Sequence, residues 1–358
     1  MSQVALRAAS MTATSGAGVR RRSARGQRRQ APLAPADIED MMTGMIGFRR
    51  LAALLLSVLA LLIGTTACAT RPQSGEPPTP VNDPASAFPA RVTIPGQEPV
   101  TLPEQPKRIV SLSPTVTETL YAIGAGKQVV AVDKYSNYPE RAPQTRMSGL
   151  NVSADTIAGY RPDLVVAPDS SAELAKGLRA IDISVLLVPA ASGLDAAYRQ
   201  IELLGRATGH HEQAKELTGR MRSEIKEIVA NTPEPQSSLS YYHEVSPNFY
   251  TATSRSFVGD VYGLFGLTNI ADSAGGTFPQ LSEEHIIQAN PDLIFLADVK
   301  GGQVTAKSVA ARPGWDSLTA VREEHVFELN DDIASRWGPR VVEFVRVISD
   351  AVTRVQKN

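Results

Sequence analysis

The sequence predicts two α/β lobes built on parallel sheets and joined by one long rigid helix. Three observations carry that expectation. Short, wholly apolar runs alternate with helical stretches in two separate series, the pattern of parallel strands buried on both faces. A long amphipathic stretch divides the two series. A twelve-residue pattern occurs once on each side of that stretch.

In chain order, residues 92–94 and 100–102 flank Pro95-Gly96 and read as a small hairpin. Residues 109–112, 129–132, 164–167 and 185–188 read as buried strands, with helices over 115–123 and 172–180 between them. Helical stretches follow over 194–208 and 212–229, broken only by Gly209. In the second, Ala214, Leu217, Met221, Ile225 and Ile228 recur at spacings of three and four, a continuous apolar stripe. Pro233 and Pro235 end it. A second series takes in 239–242, 257–265, 286–289, 293–296 and 326–329, and closes with a helix over 339–355. The expected domains are a first lobe over 88–192, linking helices over 193–232 and a second lobe over 233–358.

The repeated pattern aligns without gaps. Ser153-Ala-Asp155-Thr-Ile157-Ala-Gly-Tyr-Arg-Pro162-Asp163-Leu164 falls on Ser282-Glu-Glu284-His-Ile286-Ile-Gln-Ala-Asn-Pro291-Asp292-Leu293, with five of twelve positions identical. Each copy reads as a serine N-cap, a short helix, a Pro-Asp turn and a buried strand. Its placement on either side of the long helix points to two related lobes.

Ahead of the lobes, residues 51–63 (LAALLLSVLALLI) are uncharged and almost wholly apolar, and Arg49 and Arg50 precede them. A membrane span takes about 20 residues, so the run is short for one. It has the length and basic flank of a secretory signal core. It closes through Gly64-Thr65-Thr66-Ala67 on Cys68, the single cysteine of the chain. That ending looks like a bacterial lipobox, with Cys68 as the lipidated residue; the alternative is a chance cysteine beside an uncleaved anchor. Either outcome places the body outside the cytoplasmic membrane. Residues 45–67 are then the lipoprotein signal peptide. Residues 1–44, with their arginine cluster, are a non-native or disordered extension from an upstream start, the true start being Met41, Met42 or Met45. Residues 68–87 form a Pro-rich spacer that cannot bury a core and lifts the lobes off the lipid.

Charge and composition exclude several classes. Residues 1–67 carry nine Arg and three acids, leaving 27 basic and 34 acidic residues over 68–358. A net-acidic body lacks the basic face that nucleic acid demands. One cysteine excludes an intrachain disulfide and any multi-cysteine metal site. The histidines stand at 210, 211, 243, 285 and 325, with no H-x-x-x-H or HExxH spacing. His210-His211 reads as a solvated pair at a helix junction rather than a metal site. No G-x-S-x-G, GxGxxG or P-loop occurs. A secreted α/β enzyme with a serine nucleophile would have only His243 as a plausible base, so the chain is not expected to be an enzyme. A resident cofactor is not expected either.

Residues suited to holding a ligand gather at predicted strand ends, where open α/β sheets bind. Ser113 follows the first sheet strand, and Tyr135 and Tyr138 follow the second. Tyr242 and Tyr250 open the second lobe, and Asp332 and Arg336 follow its last strand. Tyrosine offers a broad apolar face with a hydroxyl, useful against a large, partly polar molecule. Packing in a core with a satisfied hydroxyl is the alternative for each tyrosine taken alone.

Several motifs carry a resemblance. Lys107-Arg108-Ile109-Val110-Ser111-Leu112-Ser113-Pro114, Thr117-Glu118 and Tyr121-Ala122-Ile123-Gly124 resemble the opening of the iron-siderophore/vitamin B12 family of periplasmic binding proteins. So do Tyr135-Ser136-Asn137-Tyr138-Pro139, Arg161-Pro162-Asp163-Leu164-Val165, Asn290-Pro291-Asp292-Leu293-Ile294, residues 315–321 (WDSLTAV) and Gly338-Pro339-Arg340. The resemblance implies the class III binding-protein fold and a lipid-anchored, monomeric receptor serving an ABC permease dimer with its ATPase subunits. The combination Ser-Leu-Ser-Pro-x-x-x-Glu with Tyr-Ser-x-Tyr-Pro is most similar to the cobalamin receptors. Two departures bear on the ligand: residues 147–151 (MSGLN) lack a tryptophan, and Phe278 stands near the place of the second-lobe tryptophan. A large metal-containing ligand is implied, with a corrinoid favoured and a ferric siderophore or heme as alternatives. The resemblance also implies that one carboxylate per lobe meets arginines of the permease, and Asp155 and Glu284 match those positions. An acid in the first helical turn also suits the helix dipole, and both roles can hold together.

Overall fold

A computed structural model describes residues 87–300, 302 and 304–356. The signal peptide, Cys68 and nearly all of the spacer lie outside the described residues. The first lobe opens with an antiparallel pair, β1 (Ala90–Val92) and β2 (Val100–Leu102). Its sheet holds β3 (Ile109–Ser111), β4 (Val129–Val132), β5 (Leu164–Pro168) and β6 (Ser184–Val188) in the order β4-β3-β5-β6, all parallel. Helices α1 (Pro114–Ala122), α2 (Ala154–Ala158) and α3 (Ala172–Arg179) connect these strands.

Two helices follow. The first, α4 (Leu194–Thr208), ends at Gly209, whose φ of 76° is the left-handed cap that lets the chain reverse. The second, α5 (His211–Asn231), has 21 residues and spans roughly 31 Å at 1.5 Å per residue. The two pack tightly: a Cβ added at Gly205 would come within 2.4 Å of the Ala214 Cβ. Along α5 the fully buried positions are Ala214, Thr218, Met221 and Ile225, while Leu217 and Ile228 lie half-buried at the edge of the stripe.

The second lobe is built from β7 (Ser240–Ser246), β8 (Tyr250–Thr251), α6 (Phe257–Gly263), β9 (Thr268–Asn269), α7 (Glu283–Ala289) and β10 (Leu293–Leu296). It continues through α8 (Ala306–Ala310), α9 (Thr319–Arg322), β11 (Val326–Glu328), α10 (Asp331–Ala334) and the closing α11 (Val341–Val355). The parallel strands β9, β7, β10 and β11 pair in sequence, repeating the first-lobe order, and β8 adds an antiparallel strip to β7.

The twelve-residue echo is structural as well. Ser153 and Ser282 cap α2 and α7 with identical backbone angles, φ −83° and ψ 155°, each accepting from the amide three residues on. Arg161 and Asn290 both turn through positive φ, 49° and 43°. The Asp163 carboxylate accepts the Lys107 amide at 2.7 Å, and that of Asp292 accepts the Ser240 amide at 2.7 Å. In both lobes, therefore, the turn aspartate ties its own strand to the start of the neighbouring one.

Strand residues alternate between two buried faces, as a period of 2 requires. Leu164 and Val166 join the large cluster that continues through α4, α5 and α11 into the second lobe, while Val165 and Ala167 join the outer cluster under α2 and α3. In β7, Tyr241 faces the large cluster, and Tyr242 faces an outer cluster with Ile286, Ile294, Leu296 and Trp315.

Candidate functional site

The carboxyl ends of the strands bring polar side chains from both lobes onto one seam. Its centre is Glu118, one turn into α1 and 3% exposed. The helix around it is buried on nearly every side, from Thr115 to Leu120. A carboxylate in such a place costs several kcal/mol in lost hydration unless it is paired. Two guanidinium groups from the second lobe meet it. Arg336 Nη1 donates to Glu118 Oε1 at 2.6 Å, and Arg340 donates to both oxygens, at 2.9 Å and 2.7 Å.

Arg336 is itself only 7% exposed, and its other nitrogen donates to the Tyr135 carbonyl at 3.1 Å and to Asp332 at 2.7 Å. The Asn137 amide donates across the seam to the second oxygen of Asp332 at 2.7 Å, and Lys300 Nζ stands 3.5 Å from the first. Burial alone would raise the Asp332 pKa. The Asn137 hydrogen bond and the charges of Arg336 and Lys300 outweigh it and hold the carboxyl below its usual range. Behind the seam, the Thr117 hydroxyl lies 2.9 Å from both Ser111 Oγ and Ser136 Oγ, and Ser136 donates to Asp133 at 2.6 Å. Burial raises the Asp133 pKa, against the opposing pull of that hydrogen bond.

The sequence-derived candidates separate into groups. Tyr135, Asp332 and Arg336 meet at the seam, as described. Ser113 is half-buried at the N-cap position of α1, just past β3. Tyr250 and Phe278 are brought onto one antiparallel strip, since Tyr250 bridges Gln280 and Thr251 donates to the Pro279 carbonyl at 3.0 Å. Tyr138 is 46% exposed, with the Arg340 guanidinium 4.2 Å from its ring centre. It lines a side cavity of about 400 Å³ with Glu118, Tyr121, Leu217, Met221 and Arg340, so the cavity touches the seam at Glu118 and Arg340, while Tyr135, Asp332 and Arg336 do not line it.

Tyr242 is a correction. It was expected at a ligand cleft, but its exposure is 0%, and its ring stands edge-on to Trp315 with centroids 6.2 Å apart. A strand buried on both faces leaves neither of the adjacent tyrosines, 241 and 242, at a surface. Asp155 and Glu284 are both exposed, in the first turns of α2 and α7. The Glu284 pKa is lowered by its own backbone amide and by the Ser282 hydroxyl.

Sequence reasoning missed Glu118, Arg340, Asn137 and Asp298 as site residues. For Glu118 a signal existed: a carboxylate set among Val116, Leu120 and Ile123 falls within an apolar helix pattern and needs a buried partner. Asp298 follows β10, is 6% exposed, and among the described residues neither carboxylate oxygen has a hydrogen-bond partner beyond its own backbone. Burial and the neighbouring Glu244 push its pKa up to about 7. Glu244 is held by Arg312 through two bonds of 2.6 Å, and that guanidinium lies over the Trp315 ring at 4.6 Å. Among the described residues no cluster of His, Cys, Asp and Glu is arranged to hold a metal ion.

Two α/β lobes joined by helices, with polar groups converging at the strand ends between them, define a protein built to hold a ligand across a seam. A family model described as "Periplasmic binding protein" matches residues 109–333, and the chain belongs to that family. It is similar to an uncharacterised ABC transporter substrate-binding lipoprotein of Bacillus subtilis, 33% identical over 274 residues, covering 74% of this chain and 86% of that one. A cobalamin-binding protein of Halobacterium salinarum is 29% identical over 311 residues, covering 82% of each chain. Among solved structures, the periplasmic vitamin B12 binding protein of Vibrio cholerae superposes with a TM-score of 0.61 at 25% identity, covering 70% of this chain and 99% of that one. The chain is thus an extracytoplasmic solute-binding protein, a non-enzymatic component that carries a small ligand to an ABC permease and its ATPase.

Proposed function

We propose that this protein is a lipid-anchored receptor that captures a corrinoid and delivers it to its permease. The observation that carries the reading is a seam whose buried charges are already paired: Arg336 and Arg340 are both committed to Glu118, and Asp332 is shared among Arg336, Lys300 and Asn137. A corrinoid presents a ring of neutral amides, which side chains already paired with one another can meet with hydrogen bonds. Similarity to the cobalamin-binding protein of Halobacterium salinarum and the vitamin B12 binding protein of Vibrio cholerae supports the same ligand class. Tyr135, Tyr250, Phe278 and Ser113 supply the remaining contacts in this reading.

A thermal melt tests it. A ligand present at a hundredfold excess over its Kd stabilises the folded chain by about 2.7 kcal/mol. Cyanocobalamin should raise the melting temperature without being turned over, and an unchanged melt would exclude the corrinoid. Anchoring is tested separately by Cys68→Ala, which should move the protein from the membrane to the soluble or secreted fraction, or leave an uncleaved precursor. One acyl chain anchors only marginally and bacterial lipoproteins carry more than one, so the change should be visible by fractionation. An unmodified mature N-terminus upstream of residue 68 would reject the anchor.

A further inference from the structure

Four charged side chains make up the centre of the seam: Glu118, Asp332, Arg336 and Arg340. The formal charges of these four cancel, and Lys300, 60% exposed and 3.5 Å from Asp332, adds one positive charge at the edge. Three of the four come from the second lobe, and Glu118 alone comes from the first. Without it, the second lobe would bring a net positive group to the seam, with the Arg336 side chain only 8% exposed. A guanidinium shielded from water and lacking a full carboxylate complement attracts any anionic group within reach, because screening there is weak.

We propose that Glu118 sets the charge preference of the ligand site, holding Arg336 and Arg340 neutralised so that ligands with an uncharged periphery are preferred over those bearing carboxylates. Glu118 does this from a position only 3% exposed. It acts through Arg336, whose remaining donors are aimed at the Tyr135 carbonyl and Asp332, and it is therefore a positioning residue. The inference rests on the reading that Tyr135, Asp332 and Arg336 face the ligand.

The experiment compares two probes of different peripheral charge, the amide-rimmed cyanocobalamin and the dicarboxylate hemin, by titration against the full chain. In Glu118→Gln the side chain keeps its shape and the four positions sum to +1. The ratio of hemin affinity to cyanocobalamin affinity should rise at least tenfold, and the gain should shrink as salt is added. In the double variant Glu118→Gln with Arg340→Gln the sum returns to zero, and the ratio should fall back to within about threefold of the unsubstituted protein. Arg340→Gln alone, at the less buried end of the cluster, gives a sum of −1 and should lower the ratio; it serves as the readout if Glu118→Gln does not fold.

A role in packing alone would weaken both probes together and would not be repaired by a second loss. Folded variants with an unchanged ratio, or a double variant that behaves like the single one, would overturn the proposal while leaving the receptor reading intact. An unsubstituted protein that binds neither probe would overturn both.

Discussion

Asp298 occupies a position most carboxylates avoid. It lies two residues past β10, beside the Glu244–Arg312 pair, and among the described residues neither oxygen finds a donor beyond its own backbone. Burial and the nearby carboxylates of Glu244 and Asp331 disfavour a further negative charge there, and Arg312 offsets them only in part. The fold therefore prefers the protonated form, while the unfolded chain ionises at the ordinary value of 3.8. Between about pH 4 and pH 7 the folded state binds the extra proton, so stability should fall as pH rises through that window and level off above it. Asp298→Asn removes the titration and keeps the shape. It should flatten that fall and raise stability at pH 8 by on the order of 1–3 kcal/mol. Melting temperature measured against pH checks this; parallel curves for the two proteins would mean that Asp298 finds a partner in solution.

At the scale of elements, the echoed helices α2 and α7 and the linking helix α5 make separate predictions. Asp155 and Glu284 project from the outer first turns, with no part in the seam. We propose that these two acids meet arginines of the permease; Asp155→Ala combined with Glu284→Ala should then leave ligand affinity within about threefold but abolish uptake, since two charge-assisted contacts vanish together. Each single change should be milder. A folded double variant that binds ligand poorly would place the acids in the ligand site, and intact uptake would leave them as helix-dipole partners only. In α5, Gly219 sits mid-helix and a Cβ there meets nothing within 4 Å. Gly219→Ala should stabilise the protein by about 0.5–1 kcal/mol, the ordinary gain in an exposed helix interior. Chemical denaturation measures it, and a loss of stability would mean that α5 bends at this point.

These elements also explain how far the sequence could be read. The strand runs, the break at Gly209 and the echo were legible because each rests on local chemistry: apolar period, left-handed cap, serine cap and turn aspartate. Tyr242 was not, because a tyrosine at a strand end looks the same whether α7 and Trp315 cover it or a ligand does. Arg340 was visible as part of a motif, but its partner Glu118 lies 222 residues away, a separation that no local pattern spans.

The whole molecule is tied in more than one place. A helix as long as α5 hinges poorly, since bending breaks its internal ladder. The Glu118 pairings and the Asn137–Asp332 bond join the lobes a second time at the seam. Apo and ligand-loaded protein should therefore show no resolvable difference in radius of gyration by solution scattering. A clear contraction on loading would mean that the seam opens in the free protein and closes on its cargo.

The matching of the two lobes reaches beyond stability. Each carries a serine cap, a first-turn acid and an aspartate-tied strand in the same order. A carrier with two near-equivalent ends has no single correct way round when it meets a partner made of two like halves. If these two ends do the docking, half a turn about the axis presents a serine-capped, acidic first turn again. More of the random collisions between the two would then be usable, and the arrival of cargo would depend less on rotational search. Duplication in the chain thus becomes a kinetic property of the encounter, which an asymmetric carrier of equal affinity would lack.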